Sequence, residues 1–136
     1  MNKYLFWILS FTWGLPLTLA GIIVGLILRL CNVRYFKYNY SYVFIIGKNW
    51  GGFTLGPVVL VGERYDDHIL AHEFGHGLQN CLFGPFTILI TLASAIRYWY
   101  RIIMKRAFPR YPLPEYDAIW FEGMATRMGY KFNGFV

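Results

Sequence analysis

Residues 72–76 read His-Glu-Phe-Gly-His. If they are helical, His72 and His76 stand about one turn apart on the same face. Both imidazoles can then reach one tetrahedral ion, with Glu73 beside them to take a proton from a water in the open fourth position. This is the chemistry that the H-E-x-x-H pattern requires. Five residues do not make a site, however. The rest of the chain has to supply a helix, a third ligand and a dry pocket.

The third ligand has few sources. His68 shares the helix face, but it lies two turns, roughly 12 Å, from His76 and cannot hold the same ion. It reads as a helix-start or surface residue. Cys81 lies on the turn after His76 with no second cysteine to support it, and both Cys31 and Cys81 read as buried thiols rather than a disulfide framework. Downstream carboxylates are Glu115, Asp117 and Glu122. Glu122 is favoured because it sits in Trp120-Phe121-Glu122-Gly123-Met124-Ala125, where a carboxylate on an apolar helix face is costly unless paired or bound to metal. A surface glutamate near a helix start is the plain alternative. Asp117 is the runner-up but fits a helix cap better, and Glu115, after a proline-rich loop, fits an exposed position.

The elements around the motif can be outlined. Tyr40–Ile46 is rich in aromatic and β-branched residues and reads as a strand. Phe53–Val61 reads as a second, joined to it as a hairpin and bulged or at an edge because Pro57 cannot donate to a ladder. Asp66 and Asp67 supply acidic caps for a helix over about His68–Asn80, which carries the motif. Gly84-Pro85 breaks the chain before a second apolar stretch, Phe86–Ile96. That stretch leaves through Arg97, Arg101 and Lys105 on one snorkelling face. Phe108–Pro114 is a proline-punctuated loop, and Tyr116–Met128 reads as a last helix stopped at Gly129.

Composition places the chain at a membrane. It is 57% hydrophobic and 21% aromatic with only 15% charged residues, unlike a soluble enzyme of 136 residues. From Leu5 to Leu28 no residue is charged, a run long enough to span, and no polar break follows the Leu17–Ala20 segment that resembles a cleavage site. An uncleaved anchor kinked at Pro16 is expected over residues 1–30, with the membrane-associated metal-binding body at 31–136. The formal charge of +6 comes from bases beside the apolar segments. That distribution fits anionic lipid headgroups, and no nucleic-acid module accompanies it. Flanking charge favours an outside amino terminus and a cytoplasmic body.

At this point the chain resembles a known group. An H-E-x-x-H helix joined by a glutamate on a later helix is the plan of the gluzincin-type metallopeptidases. More narrowly, the chain is similar to a family of small bacterial membrane proteins. The similarity rests on Gly51–Gly56, HEFGHGLQN followed by Leu82-Phe83-Gly84-Pro85, Ser94-Ala95, and Trp120-Phe121-Glu122-Gly123 with Ala125, Thr126 and Gly129. It covers about Trp50 to Gly129. The resemblance implies a zinc ion held by His72, His76 and Glu122, with Glu73 as catalytic base. Many gluzincins carry an aspartate four residues after the ligand glutamate to orient the first histidine. Here that residue is Thr126, which offers a hydrogen bond without charge.

The expected fold is α+β: a membrane helix, then a minimal zincin-like domain of β-hairpin, H-E-x-x-H helix, apolar helix and glutamate-bearing helix. Because His76 precedes the apolar stretch and Glu122 follows it, residues 86–100 are expected either to lie at one face as a core or re-entrant segment that lines the pocket, or to hold the site within the bilayer, and their short length favours the first. The expected function is a membrane-anchored zinc hydrolase acting on a peptide or protein substrate near the bilayer, with the edge strand around Leu55–Val61 available to an extended peptide. Tyr116, Arg127 and Tyr130 are candidate oxyanion stabilisers. The competing expectation is a zinc-stabilised membrane scaffold or partner-binding protein without turnover. Retention of Glu73, which a structural site does not need, favours chemistry.

Overall fold

The computed structural model describes residues 1–135, and their architecture is α+β. Two helices, α1 (Lys3–Phe11) and α2 (Leu15–Leu30), precede four strands, β1 (Tyr35–Tyr38), β2 (Ser41–Ile45), β3 (Gly52–Leu55) and β4 (Val58–Val61). The motif helix α3 (Asp67–Phe83) follows, then α4 (Thr87–Ala107) and α5 (Trp120–Asn133). Short 3-10 turns at Gly84–Phe86 and Tyr116–Ala118 precede the last two helices.

The sheet is more than the single hairpin expected. Its order is β1-β2-β4-β3, with two antiparallel hairpins joined by a parallel β2–β4 pairing in the register Val43↔Val59 and Ile45↔Val61. Gly56-Pro57 is the turn between β3 and β4, so Pro57 sits outside the ladder and costs it no hydrogen bond. This moves the free edge. β4 lies inside the sheet, and the open strand beside the motif helix is β3. Val43, Val59 and Val61 face Leu70 of α3 and form one core with it.

The apolar run at the amino terminus is not one straight helix. α1 and α2 meet at 98°, with the break at Thr12–Gly14 and Pro16 in the first turn of α2, where its missing N–H costs nothing. Phe6 on α1 is fully buried against Phe74, Leu78 and Cys81 in a second core, with rings of Tyr40 and Phe74 around it. One helical stretch, Asp67–Ala107, is long and apolar enough to cross a membrane, and 22% of its apolar window is buried within the protein.

α3 and α5 make the closest helix pairing, and small residues make it possible. A Cβ on Gly75 would collide with the Ala125 carbonyl, and one on Gly129 would collide with the Ala71 carbonyl. The two Ala-x-x-x-Gly stretches therefore cross antiparallel, backbone against backbone. Gly129 is part of this contact and does not end α5, which runs on to Gly134 in the left-handed conformation.

Candidate metal centre

α3 begins where the acidic cap was expected: the Asp66 side chain accepts from the Ile69 N–H at 2.8 Å. From this start the helix turns His72, His76 and Gln79 toward α5, while Glu73 points to the sheet. The α3–α5 crossing then brings Glu122, which is 0% exposed, between the two imidazoles. Its Oε2 lies 3.0 Å from His72 Nε2 and 3.1 Å from His76 Nε2.

The surrounding hydrogen bonds assign the histidine tautomers. Gln79 donates its amide to the Phe121 carbonyl at 2.8 Å, so its oxygen is what faces His76 Nδ1 at 2.7 Å, and that nitrogen carries the proton. The Thr126 hydroxyl donates to Asp117 Oδ2 at 2.8 Å, so its lone pair accepts from His72 Nδ1 at 2.7 Å. Both Nε2 atoms thus present lone pairs to a carboxylate oxygen. Three acceptors at these separations repel one another unless positive charge lies among them. Ligand atoms of a tetrahedral zinc site with bonds of 2.0–2.1 Å stand about 3.3 Å apart, close to what is found here. His72, His76 and Glu122 therefore form a buried group that could hold a metal ion.

Ser94 of α4 completes the setting by donating to Glu122 Oε1 at 2.5 Å. Burial by itself would raise the Glu122 pKa; without a metal ion, protons taken up on the facing Nε2 atoms of His72 and His76 would hydrogen-bond it instead, and together with the His76 charge and Ser94 they would hold the carboxyl well below the usual carboxylate range. Asp117 takes a role the sequence did not reveal. The first turn of α5 has no side-chain cap, so Asp117 is not one. Acting through Thr126, with its Oδ1 3.9 Å from His72 Nδ1, it brings to the first histidine the carboxylate that Thr126 lacks.

Glu73 is close to this group but not part of it. It is 6% exposed, and its Oε2 accepts the Thr54 hydroxyl at 2.6 Å. A Cβ on Gly52 would meet the Glu73 side chain, so β3 packs directly on it. Two cavities, of about 480 and 470 Å³, both have Glu73 and Tyr116 in their walls. Burial, with the charges of Glu122 and Glu73, pushes the Tyr116 phenol well above its ordinary pKa against partial opposition from Arg97 and Arg101. It therefore remains a hydrogen-bond donor. The other oxyanion candidates are elsewhere: Tyr130 is bonded to His68 Nδ1, and Arg127 lies beside Gly123.

Arg97 and Arg101 of α4 are turned inward, opposite to the snorkelling expected, while Lys105 on the same face stays exposed. Arg97 donates to the carbonyls of Tyr116 and Glu115, Arg101 donates to that of Pro114, and both guanidiniums cover the Tyr116 ring. These bonds fold the 108–116 loop back along α4, so α4 lines the pocket. Gln79 and Ser94 lie in stretches that carry the resemblance, but neither was given a role in the site from the sequence. Gln79 had a usable signal, a polar side chain three residues after His76 in an apolar helix, where burial demands a partner. Cys81 is buried beside Ser10 and Phe6, away from the metal-ligand group. Comparison with protein-family models, curated proteins and solved structures finds no match to this chain.

Proposed function

We propose that this chain is a membrane-associated zinc hydrolase, gluzincin-like in plan, that cleaves peptide bonds near the bilayer surface. His72, His76 and Glu122 would hold the ion, and Glu73 would be the general base. The observation that carries this is the separate placement of two carboxylates, one buried between the imidazoles and one in the cavity walls. Glu122 converges with the imidazoles on a cation position, while Glu73 is left out of the ligand group and lines both cavities. Bound zinc would polarise the scissile carbonyl and acidify water.

The chain's own groups would do the rest. Glu73 takes a proton from the attacking water, whose oxygen bonds to the carbonyl carbon. It passes that proton to the nitrogen as the C–N bond breaks, leaving a carboxylic acid and an amine. Tyr116, held neutral, is placed by Arg97 and Arg101 to donate toward developing negative charge. β3 offers a free edge for the substrate backbone. Leu55↔Val58 flanks the two-residue turn, so alternation leaves the N–H and C=O groups of Gly52 and Thr54 facing away from β4. The apolar stretch Asp67–Ala107 and the outward apolar residues of α1 and α2 support a membrane location.

One observation favours the alternative, a zinc-stabilised scaffold without turnover. Glu73 already has a structural bond, from Thr54, that stitches β3 to α3. Glu73→Gln separates the two, because glutamine can still accept from Thr54 but cannot take a proton. The enzyme reading predicts that hydrolysis falls at least about 100-fold, within the usual range for a general base, while zinc content by elemental analysis stays at the parent level. Unchanged hydrolysis rejects Glu73 as the base.

A further inference from the structure

The two cavities that share Glu73 differ in chemistry. One carries charged side chains in its wall, among them Arg101, Lys105, Glu115 and Asp117, beside the apolar Ile69 and Ile102. The other is walled by Trp50, Phe53, Leu60, Ala95 and Trp99. Gly52, Glu73, Tyr98 and Tyr116 belong to both, so the chambers adjoin across the proposed base.

Their outlets differ as well. Along α4, Leu92, Ile96, Trp99 and Ile103 recur at spacings of four and three and form an exposed apolar stripe. Trp99, 62% exposed, belongs both to this stripe and to the wall of the aromatic chamber. The rim of that chamber is therefore continuous with the outer apolar face of α4. The polar chamber instead reaches the exposed Glu115 and Lys105. β3 runs past both, with Gly52 in the shared wall and Phe53 and Thr54 in the aromatic one.

We propose that the substrate is a bilayer-inserted polypeptide cut just outside its apolar segment, with the apolar flank in the aromatic chamber and the hydrophilic flank in the polar one. This rests on the hydrolase reading above. An apolar segment moving from lipid along the α4 stripe into the aromatic chamber never has to be hydrated. The polar flank keeps its solvation, and water has its own way to Glu73. The free edge of β3 aligns the backbone without regard to side chain, so selection falls to the two chambers.

The test uses the full chain loaded with zinc in phosphatidylethanolamine/phosphatidylglycerol vesicles. Two fluorogenic peptides are compared: one with a Leu/Phe/Ala block on one side of the cleavable bond and a Ser/Gln/Glu block on the other, and one with Ser/Gln/Glu blocks on both sides. The first is expected to be cut at the junction with kcat/KM at least about tenfold above the second, the scale of discrimination an apolar pocket provides. Ala95→Trp, which fills the aromatic chamber, should bring that ratio near unity with zinc content retained. Trp99→Gln at the exposed rim should lower it several-fold, which keeps the test intact if the first variant misfolds. Equal cleavage of both peptides, a ratio unmoved by these variants, or preferential cleavage of an acyl-chain ester probe overturns the proposal while leaving a hydrolase. If neither peptide turns over, binding to Glu73→Gln decides by fluorescence anisotropy. Preferential binding of the two-faced peptide keeps the chamber assignment although hydrolysis fails, and equal binding rejects it.

Discussion

The α3–α5 seam and the outer face of α4 are built from opposite materials. At the seam, alanine and glycine let two backbones touch, and His72, His76, Gln79, Glu122 and Thr126 all have partners. On α4, Leu89, Leu92, Ile96, Trp99 and Ile103 point outward with more than half their surface bare. The seam shows how a small chain holds buried polar chemistry: it removes side-chain volume so that short-range bonds can form. The outer face has no such constraint, so its residues record surroundings rather than packing. Ser94 joins the two regions, because it reaches Glu122 from the inner side of the same helix.

Mutations should keep the two regions distinct. Gly75→Val ought to do the most damage. The clash is with backbone, which cannot turn aside, so a loss of about 3 kcal/mol or more is expected, read as a collapsed thermal transition in detergent. Glu122→Ala comes next. It should leave the fold recognisable but weaken zinc affinity by more than roughly 100-fold, beyond what an outer partner is worth, as measured by competition with a chelator. Asp117→Asn should cost about tenfold in the same assay. If its effect vanishes, the relay through Thr126 carries no charge to His72. Leu92→Gln with Ile96→Gln should be the mildest, within about 0.5 kcal/mol of the parent stability each and with unchanged zinc, while co-flotation with vesicles falls. A large drop in detergent stability would place these residues in a protein contact and erase the contrast.

Local rules reached the motif helix and its partner well. Asp66 caps α3 as its residue type requires, and the expense of a carboxylate in Trp120–Ala125 pointed to Glu122, which lies between the two imidazoles. Non-local pairings were not legible. The parallel contact of β2 with β4 joins residues across an intervening strand, and no period in the chain encodes it. The same limit hid the facing of α4: Arg97, Arg101 and Lys105 share a stripe in any helix, but only the returning 108–116 loop decides that Arg97 and Arg101 turn inward. Gly129 misled for a related reason. A glycine near a helix end serves a cap or a crossing equally well until its neighbour is known. Asp117 was hidden because it acts through another residue's hydroxyl.

The right-angled bend between α1 and α2 has a practical consequence. A simple tether could be cut off to release a working body, but α1 is a keystone. It inserts the wholly buried Phe6 beneath Phe74, on the helix that carries both histidines. Trp13 at the corner donates to the Leu82 carbonyl at the far end of the same helix. A version trimmed to begin at residue 31 would open a hole beneath Phe74, on the helix that carries His72 and His76, so solubility gained that way would be bought with the candidate site itself.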